Sequence, residues 1–104
     1  MGNMNIVAVI VTYNPELNVL RELLGALQQQ VDSIVVVDNG SDMHLHDWLD
    51  SLDEVSVHGI FLSKNTGVAA AQNTGIAWAR QKIADYVVLF DQDSLRMPGM
   101  VMQL

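Results

Sequence analysis

The chain has 104 residues, half of them apolar, with no cysteine and a net charge of −7 from 12 acidic and 5 basic side chains. That composition suits one folded domain over residues 1–104 with a modest core, and it excludes disulfide frameworks and thiolate chemistry. Too few clustered cations remain for a nucleic-acid partner, and a small anionic ligand would be repelled unless a cation came with it.

The predicted elements alternate. Ile6 to Thr12 is an almost wholly apolar, β-branched run, the pattern of a strand buried on both faces. Asn14-Pro15 then opens a helix, with Asn14 as N-cap and Pro15 in the first turn. Leu17, Leu20, Leu24, Leu27 and Val31 make one apolar stripe. Ser33 to Asp38 is a second buried strand, broken by the turn residues Asn39-Gly40. Leu45, Trp48, Leu49 and Leu52 mark a short helix, Val55 to Leu62 a third strand, and the Ala-rich Gly67 to Lys82 a third helix. Asp85 to Phe90 is a fourth buried strand ending at Asp91. Pro98 opens a last helix in which the chain stops. Met97 to Leu104 carries no Gly cap or charged finish, which predicts a protein that continues beyond Leu104. The order β-α-β-α-β-α-β-α predicts an α/β fold, an open and mostly parallel sheet with helices on both faces.

In such sheets ligands bind outside the carboxyl ends of the strands. The residues there are Thr12-Tyr13-Asn14, Asp38-Asn39-Gly40-Ser41-Asp42, Ser63-Lys64-Asn65-Thr66-Gly67 and Asp91-Gln92-Asp93-Ser94. Each cluster has an ordinary reading as a turn, a helix cap or solvated loop acids. Trp48 and Trp78 read as packing residues, and His44, His46 and His58 as surface or loop residues. What the ordinary readings leave unexplained is four polar clusters on one predicted edge. Asp91 and Asp93 sit where two carboxylates can converge on one hard cation, Mg²⁺ or Mn²⁺. A diphosphate would dock on this acidic edge only if a metal offset the repulsion.

These residues resemble the inverting glycosyltransferases of family 2. The resemblance rests on Val9-Ile10-Val11-Thr12-Tyr13-Asn14, on Val36-Val37-Asp38-Asn39-Gly40-Ser41-Asp42, on the stretch from Asn65 to Ile76, and on Leu89-Phe90-Asp91-Gln92-Asp93-Ser94. The Thr-Tyr-Asn-Pro and Asp-Gln-Asp-Ser forms look most like rhamnosyltransferase-type members. The resemblance implies the Rossmann-like half of a GT-A fold. It also implies a nucleotide-diphosphate sugar (dTDP- or UDP-linked) as donor, and a glycan or lipid-linked acceptor in polysaccharide or cell-surface glycan synthesis.

It implies roles as well. Thr12, Tyr13 and Asn14 would border the base, with Tyr13 packing on it. Asp38 would accept a hydrogen bond from the pyrimidine N–H. Asn65, Gly67 and Asn73 would shape the nucleotide wall, Asp91 would face the ribose or the metal, and Asp93 would hold the metal. Gln72 departs from the family, many members of which carry a basic residue there. The general base of the family lies beyond the metal motif, so no residue up to Leu104 takes that role. The alternative is a non-catalytic nucleotide-binding module. A receiver-type phosphoacceptor domain fits less well, because strand one ends in Thr-Tyr-Asn. A dinucleotide fold lacks its glycine turn, since Pro15 stands there instead. No apolar run reaches the roughly 20 residues of a membrane span, and Met1 to Asn5 has no basic leader region. A cytoplasmic protein, able to associate with the cytoplasmic face of a membrane, is expected. Exposed apolar surface would favour a homodimer.

Overall fold

The computed structural model describes residues 4–52, 56–92 and 100–104. Its elements are β1 (Ile6–Thr12), α1 (Leu17–Gln28), β2 (Ser33–Asp38), α2 (Leu45–Ser51), β3 (Val57–Phe61), α3 (Val68–Gln81), β4 (Tyr86–Asp91) and β5 (Met100–Gln103). The sheet order is β3-β2-β1-β4-β5, with β1 to β4 parallel and β5 antiparallel on β4. The expected open, mostly parallel α/β sheet is therefore present.

The topology follows from chain order and a fixed crossover hand. From β1 the chain steps outward to β2 and β3, then crosses back to pair β4 with the other edge of β1. Reversing direction while keeping right-handed crossovers moves the connecting helix to the opposite face. Accordingly α1 and α2 cover one face and α3 the other. The strands carry alternate residues into the two layers. Val7, Val9, Val11, Val35, Val37, Val87 and Leu89 pack under Ala71 and Ala79 of α3. Ala8, Ile10, Ile34 and Val36 pack under Leu20, Leu23, Leu24 and Leu27 of α1 and Leu45 of α2. Both faces are covered, which is why β1 and β2 are apolar at successive positions instead of alternating. Each such Val, Leu or Ile contributes roughly 1.5–3 kcal/mol of transfer free energy.

Helix α3 lies closest to the sheet. Ala71, Gly75 and Ala79 form a stripe of small buried residues at four-residue spacing. A Cβ on Gly75 would run into the Val9 side chain and crowd Val37. Trp48 and Trp78 pack at the margins of the two cores, as expected of packing residues.

Two expectations are corrected. Asn14 is not the N-cap of α1: the helix begins at Leu17 with Glu16 at the cap, and no side chain caps it. Asn14 adopts a left-handed φ of 44° and its amide is used elsewhere, as described below. The terminal helix is also not found among the described residues. Pro98, its expected start, lies outside the described residues, and residues 100–103 are strand β5. Met100, Val101 and Met102 are too short an apolar run for periodicity to separate helix from strand. The open edge of β4 decides the matter, because its unpaired backbone groups gain a partner from an antiparallel strand.

Candidate functional site

The four polar clusters meet on one edge. β1 and β2 end side by side at Thr12 and Asp38, and β1 and β4 are in register up to Val11 and Asp91. The strand order reverses about β1, so the crevice between the carboxyl ends of β1 and β4 is the topological switch point.

The β2 side of this edge is tightly cross-linked. Asp38 is 4% exposed, and its Oδ1 accepts from the Thr12 hydroxyl at 2.7 Å and from the Ser41 hydroxyl. Its Oδ2 accepts from the Ser41 N–H at 2.9 Å. Asn39, 2% exposed, donates through Nδ2 to Asn65 Oδ1 at 3.0 Å. Asn39 Oδ1 accepts from the Thr66 N–H at 2.8 Å and from the Thr66 hydroxyl at 3.1 Å. Asn65 Oδ1 in turn accepts from the Gly67 N–H at 2.8 Å. One buried carboxamide thus ties the β2–α2 turn to the loop that starts α3. Gly40 allows the approach: at its φ of 86° a Cβ would lie 2.6–2.8 Å from the Lys64 and Asn65 backbone. The Asn14 N–H donates to Ser41 Oγ at 2.7 Å, and Asn14 Oδ1 accepts from the Asp42 N–H at 2.8 Å.

The β4 side is held differently. Beyond the Val11–Asp91 pair, the Tyr13 N–H donates to Gln92 Oε1 at 2.7 Å. A side chain bridges the strands where backbone pairing has ended. Between the two sides lies a cavity of about 360 Å³, lined by Val11, Thr12, Tyr13, Asn39, Asn65, Gly67, Val68, Gln72, Asp91 and Gln92. Tyr13 is 44% and Val68 59% exposed, so two apolar side chains stand open at this cavity. A second cavity of about 350 Å³ lies against α1 and β4. Its lining of Met4, Ile6, Leu27, Gln30, Val31, Tyr86, Val88 and Phe90 carries no ionisable group except a tyrosine, so the chemistry belongs to the first.

Of the sequence-predicted residues, Thr12, Tyr13, Asn65, Gly67 and Asp91 line the cavity. Asp38 lies behind Thr12, Asn14 joins the two loops beside it, and Asn73 is exposed on α3 away from the lining. Asp93 lies outside the described residues. Among the described residues no group of three or more His, Asp or Glu side chains gathers at metal-binding distance. Asp91 supplies one hard oxygen donor at the cavity wall, which suits Mg²⁺ or Mn²⁺ and would be one ligand of such a site. The three histidines are exposed, His58 on strand β3 and stacked on Trp78 at 5.0 Å between ring centroids. Asn39 and Gln92 are the site residues that sequence reasoning passed over. The first was absorbed into a turn motif and the second into the middle of an acid pair.

A parallel sheet with a polar crevice at its switch point places the chain among the open α/β proteins that bind ligands there. The sequence model of glycosyl transferase family 2 matches residues 7–104, and the chain belongs to that family. It is 48% identical over 92 residues to the dTDP-rhamnosyl transferase RfbF of Shigella flexneri, covering 88% of this chain and 30% of that protein. The chain therefore spans under a third of that relative's length. Residues 1–349 of S. aureus TarS share the fold, with a TM-score of 0.68 at 24% identity, over 86% of this chain and 28% of theirs. So does 4-diphosphocytidyl-2C-methyl-D-erythritol synthase, with a TM-score of 0.69 at 19% identity, over 88% of this chain and 48% of its own. No helix among the described residues is long and apolar enough to cross a membrane.

Proposed function

We propose that these residues form the donor-binding part of an inverting glycosyltransferase that uses a nucleotide-diphosphate sugar, dTDP-linked or UDP-linked, with rhamnose as the favoured sugar. The observation that carries the reading is the cavity at the β1/β4 switch point, in a chain of glycosyl transferase family 2. The choice of dTDP and rhamnose rests on the 48% identity to a protein named for both.

The roles follow from placement. The exposed Tyr13 ring and Val68 offer apolar surface to a planar base. Asp38 Oδ2 accepts one N–H within the protein and keeps capacity for another, which suits a pyrimidine N–H reaching past Thr12. Among the described residues the cavity lining contains a carboxylate, Asp91, and no Lys or Arg, so these residues do not themselves neutralise a diphosphate. The N-terminus of α3 at Gly67 and Val68 contributes only a partial positive charge. Asp91, with Asp93, would hold the divalent cation; such an ion supplies Lewis-acid stabilisation of the departing nucleoside diphosphate. A glycan or lipid-linked hydroxyl is the acceptor in this reading, and none of the described lining residues is given the role of the base that deprotonates it.

Calorimetric titration of the chain with dTDP and with UDP, each with Mn²⁺, tests this. Saturable heat that disappears on chelation and in Asp91→Ala is expected. Absence of nucleotide binding with and without metal would overturn the reading. In the whole protein, Asp93→Ala is expected to abolish metal-dependent sugar transfer.

A further inference from the structure

Strands β1 and β4 part at the switch point, and one side chain crosses the gap. Backbone register runs from Ile6–Tyr86 to Val11–Asp91 and stops. The next link is Gln92 Oε1 accepting the Tyr13 N–H at 2.7 Å, between residues 79 apart in sequence. This bond fixes the carboxamide orientation. A backbone N–H can only donate, so the oxygen of Gln92 faces Tyr13 and the two N–H donors of Nε2 face away. Among the described residues Nε2 has no acceptor. Gln92 is half-buried and lines the cavity beside Asp91.

Two other side-chain donors of that wall are committed. The Thr12 hydroxyl goes to Asp38 and Asn39 Nδ2 goes to Asn65. Among the described lining residues, which include a carboxylate and no Lys or Arg, a pre-oriented neutral donor pair meets a phosphate oxygen without the long flexible stem of a Lys.

We infer that Gln92 has two linked tasks: its oxygen positions Tyr13, and its nitrogen donates to a diphosphate oxygen of the bound nucleotide. The inference rests on the nucleotide-sugar reading above for its second task only. A ligand oxygen that engages Nε2 would also stiffen the Tyr13 link, so base and diphosphate contacts are coupled through one side chain.

Two substitutions separate the tasks. Gln92→Glu keeps an oxygen for the Tyr13 N–H and loses the donor. Gln92→Met keeps the length and loses both. Amide hydrogen exchange of Tyr13 reads the first task without any ligand: protection as in the wild type is expected in Gln92→Glu and loss of protection in Gln92→Met. Calorimetry with dTDP and Mn²⁺ reads the second. Both variants are expected to bind about tenfold more weakly, the size of one charge-assisted hydrogen bond. Part of the Gln92→Glu loss is charge repulsion, which salt screens, so its affinity is compared at low and at molar ionic strength. A deficit that persists at high salt, with Tyr13 still protected, supports the donor role. Recovery of wild-type affinity at high salt overturns it. Unchanged Tyr13 protection in Gln92→Met overturns the positioning role. A wild-type chain that binds neither dTDP nor UDP overturns the nucleotide reading and the donor role with it, while the exchange data still decide the positioning role.

Discussion

The two sides of the cavity are built on different terms. On the β2–β3 side, Asp38 is held by Thr12 and Ser41, and Asn39 by Asn65 and Thr66, with Asp38 and Asn39 almost wholly buried. On the β1–β4 side, the side-chain bond from Gln92 to Tyr13 spans the opening, and both residues are partly exposed. A closed network of buried polar groups has one low-energy arrangement, because breaking any member leaves another unsatisfied. A single bond at the edge of water can be exchanged for solvent at little cost. The first side therefore presets the shape of the cavity, and the second is where a ligand can change the protein's own contacts.

The largest effect should come from the closed side. Asn39→Ala removes three hydrogen bonds, worth about 1 kcal/mol each, and strands Asn65 and Thr66 groups. A loss of about 3 kcal/mol in urea unfolding is expected, and a loss under about 1 kcal/mol would show that the wall does not depend on this residue. Gly40→Ala comes next, at about 2 kcal/mol, because a left-handed φ and a Cβ against the Lys64 backbone act together. Thr12→Val should cost about 1 kcal/mol, since Asp38 Oδ1 keeps its Ser41 hydroxyl partner. Gln92→Met should cost no more than about 1 kcal/mol of stability while weakening nucleotide binding. If it destabilised the fold as much as Asn39→Ala, the contrast between the two sides would collapse. Asn73→Ala should change stability by less than about 0.5 kcal/mol and leave nucleotide affinity unaltered, because the residue is exposed on α3 and outside the cavity lining. A marked loss of affinity there would restore it to the nucleotide wall.

Much of the fold was legible. β1 and β2 occupy the expected residues, since a short apolar, β-branched run bounded by turn residues is the pattern of a strand buried on both faces. Helices α1 to α3 fall within the expected spans, and the family assignment agrees with the four motifs. The exceptions have local causes. Asn14 looked like a cap because Asn before Pro and an apolar stripe is a common helix start. Its backbone N–H instead donates to Ser41 and its side-chain oxygen accepts from the Asp42 N–H, residues whose proximity only the β1–β2 pairing creates. Residues 100–103 carry no periodicity, and their strand exists because β4 had an open edge.

The sequence by itself determined the alternation of strands and helices, the burial of both sheet faces, and the gathering of polar residues after each strand. Those are consequences of local pattern and of the rule that parallel strands end together. Only the tertiary structure decided which polar groups are spent on one another and which remain for a ligand. Asp38 and Asn39 look equally available in the sequence, yet the Asn39 carboxamide is bound into the wall while Asp38 spends Oδ1 on Thr12 and Ser41 and keeps capacity at Oδ2. Gln92 looks like a spacer between two acids, yet it crosses the switch point with its donors uncommitted among the described residues. Hydrogen-bond partners 26 to 79 residues apart are chosen by sheet order and register, and no spacing along the chain records that choice.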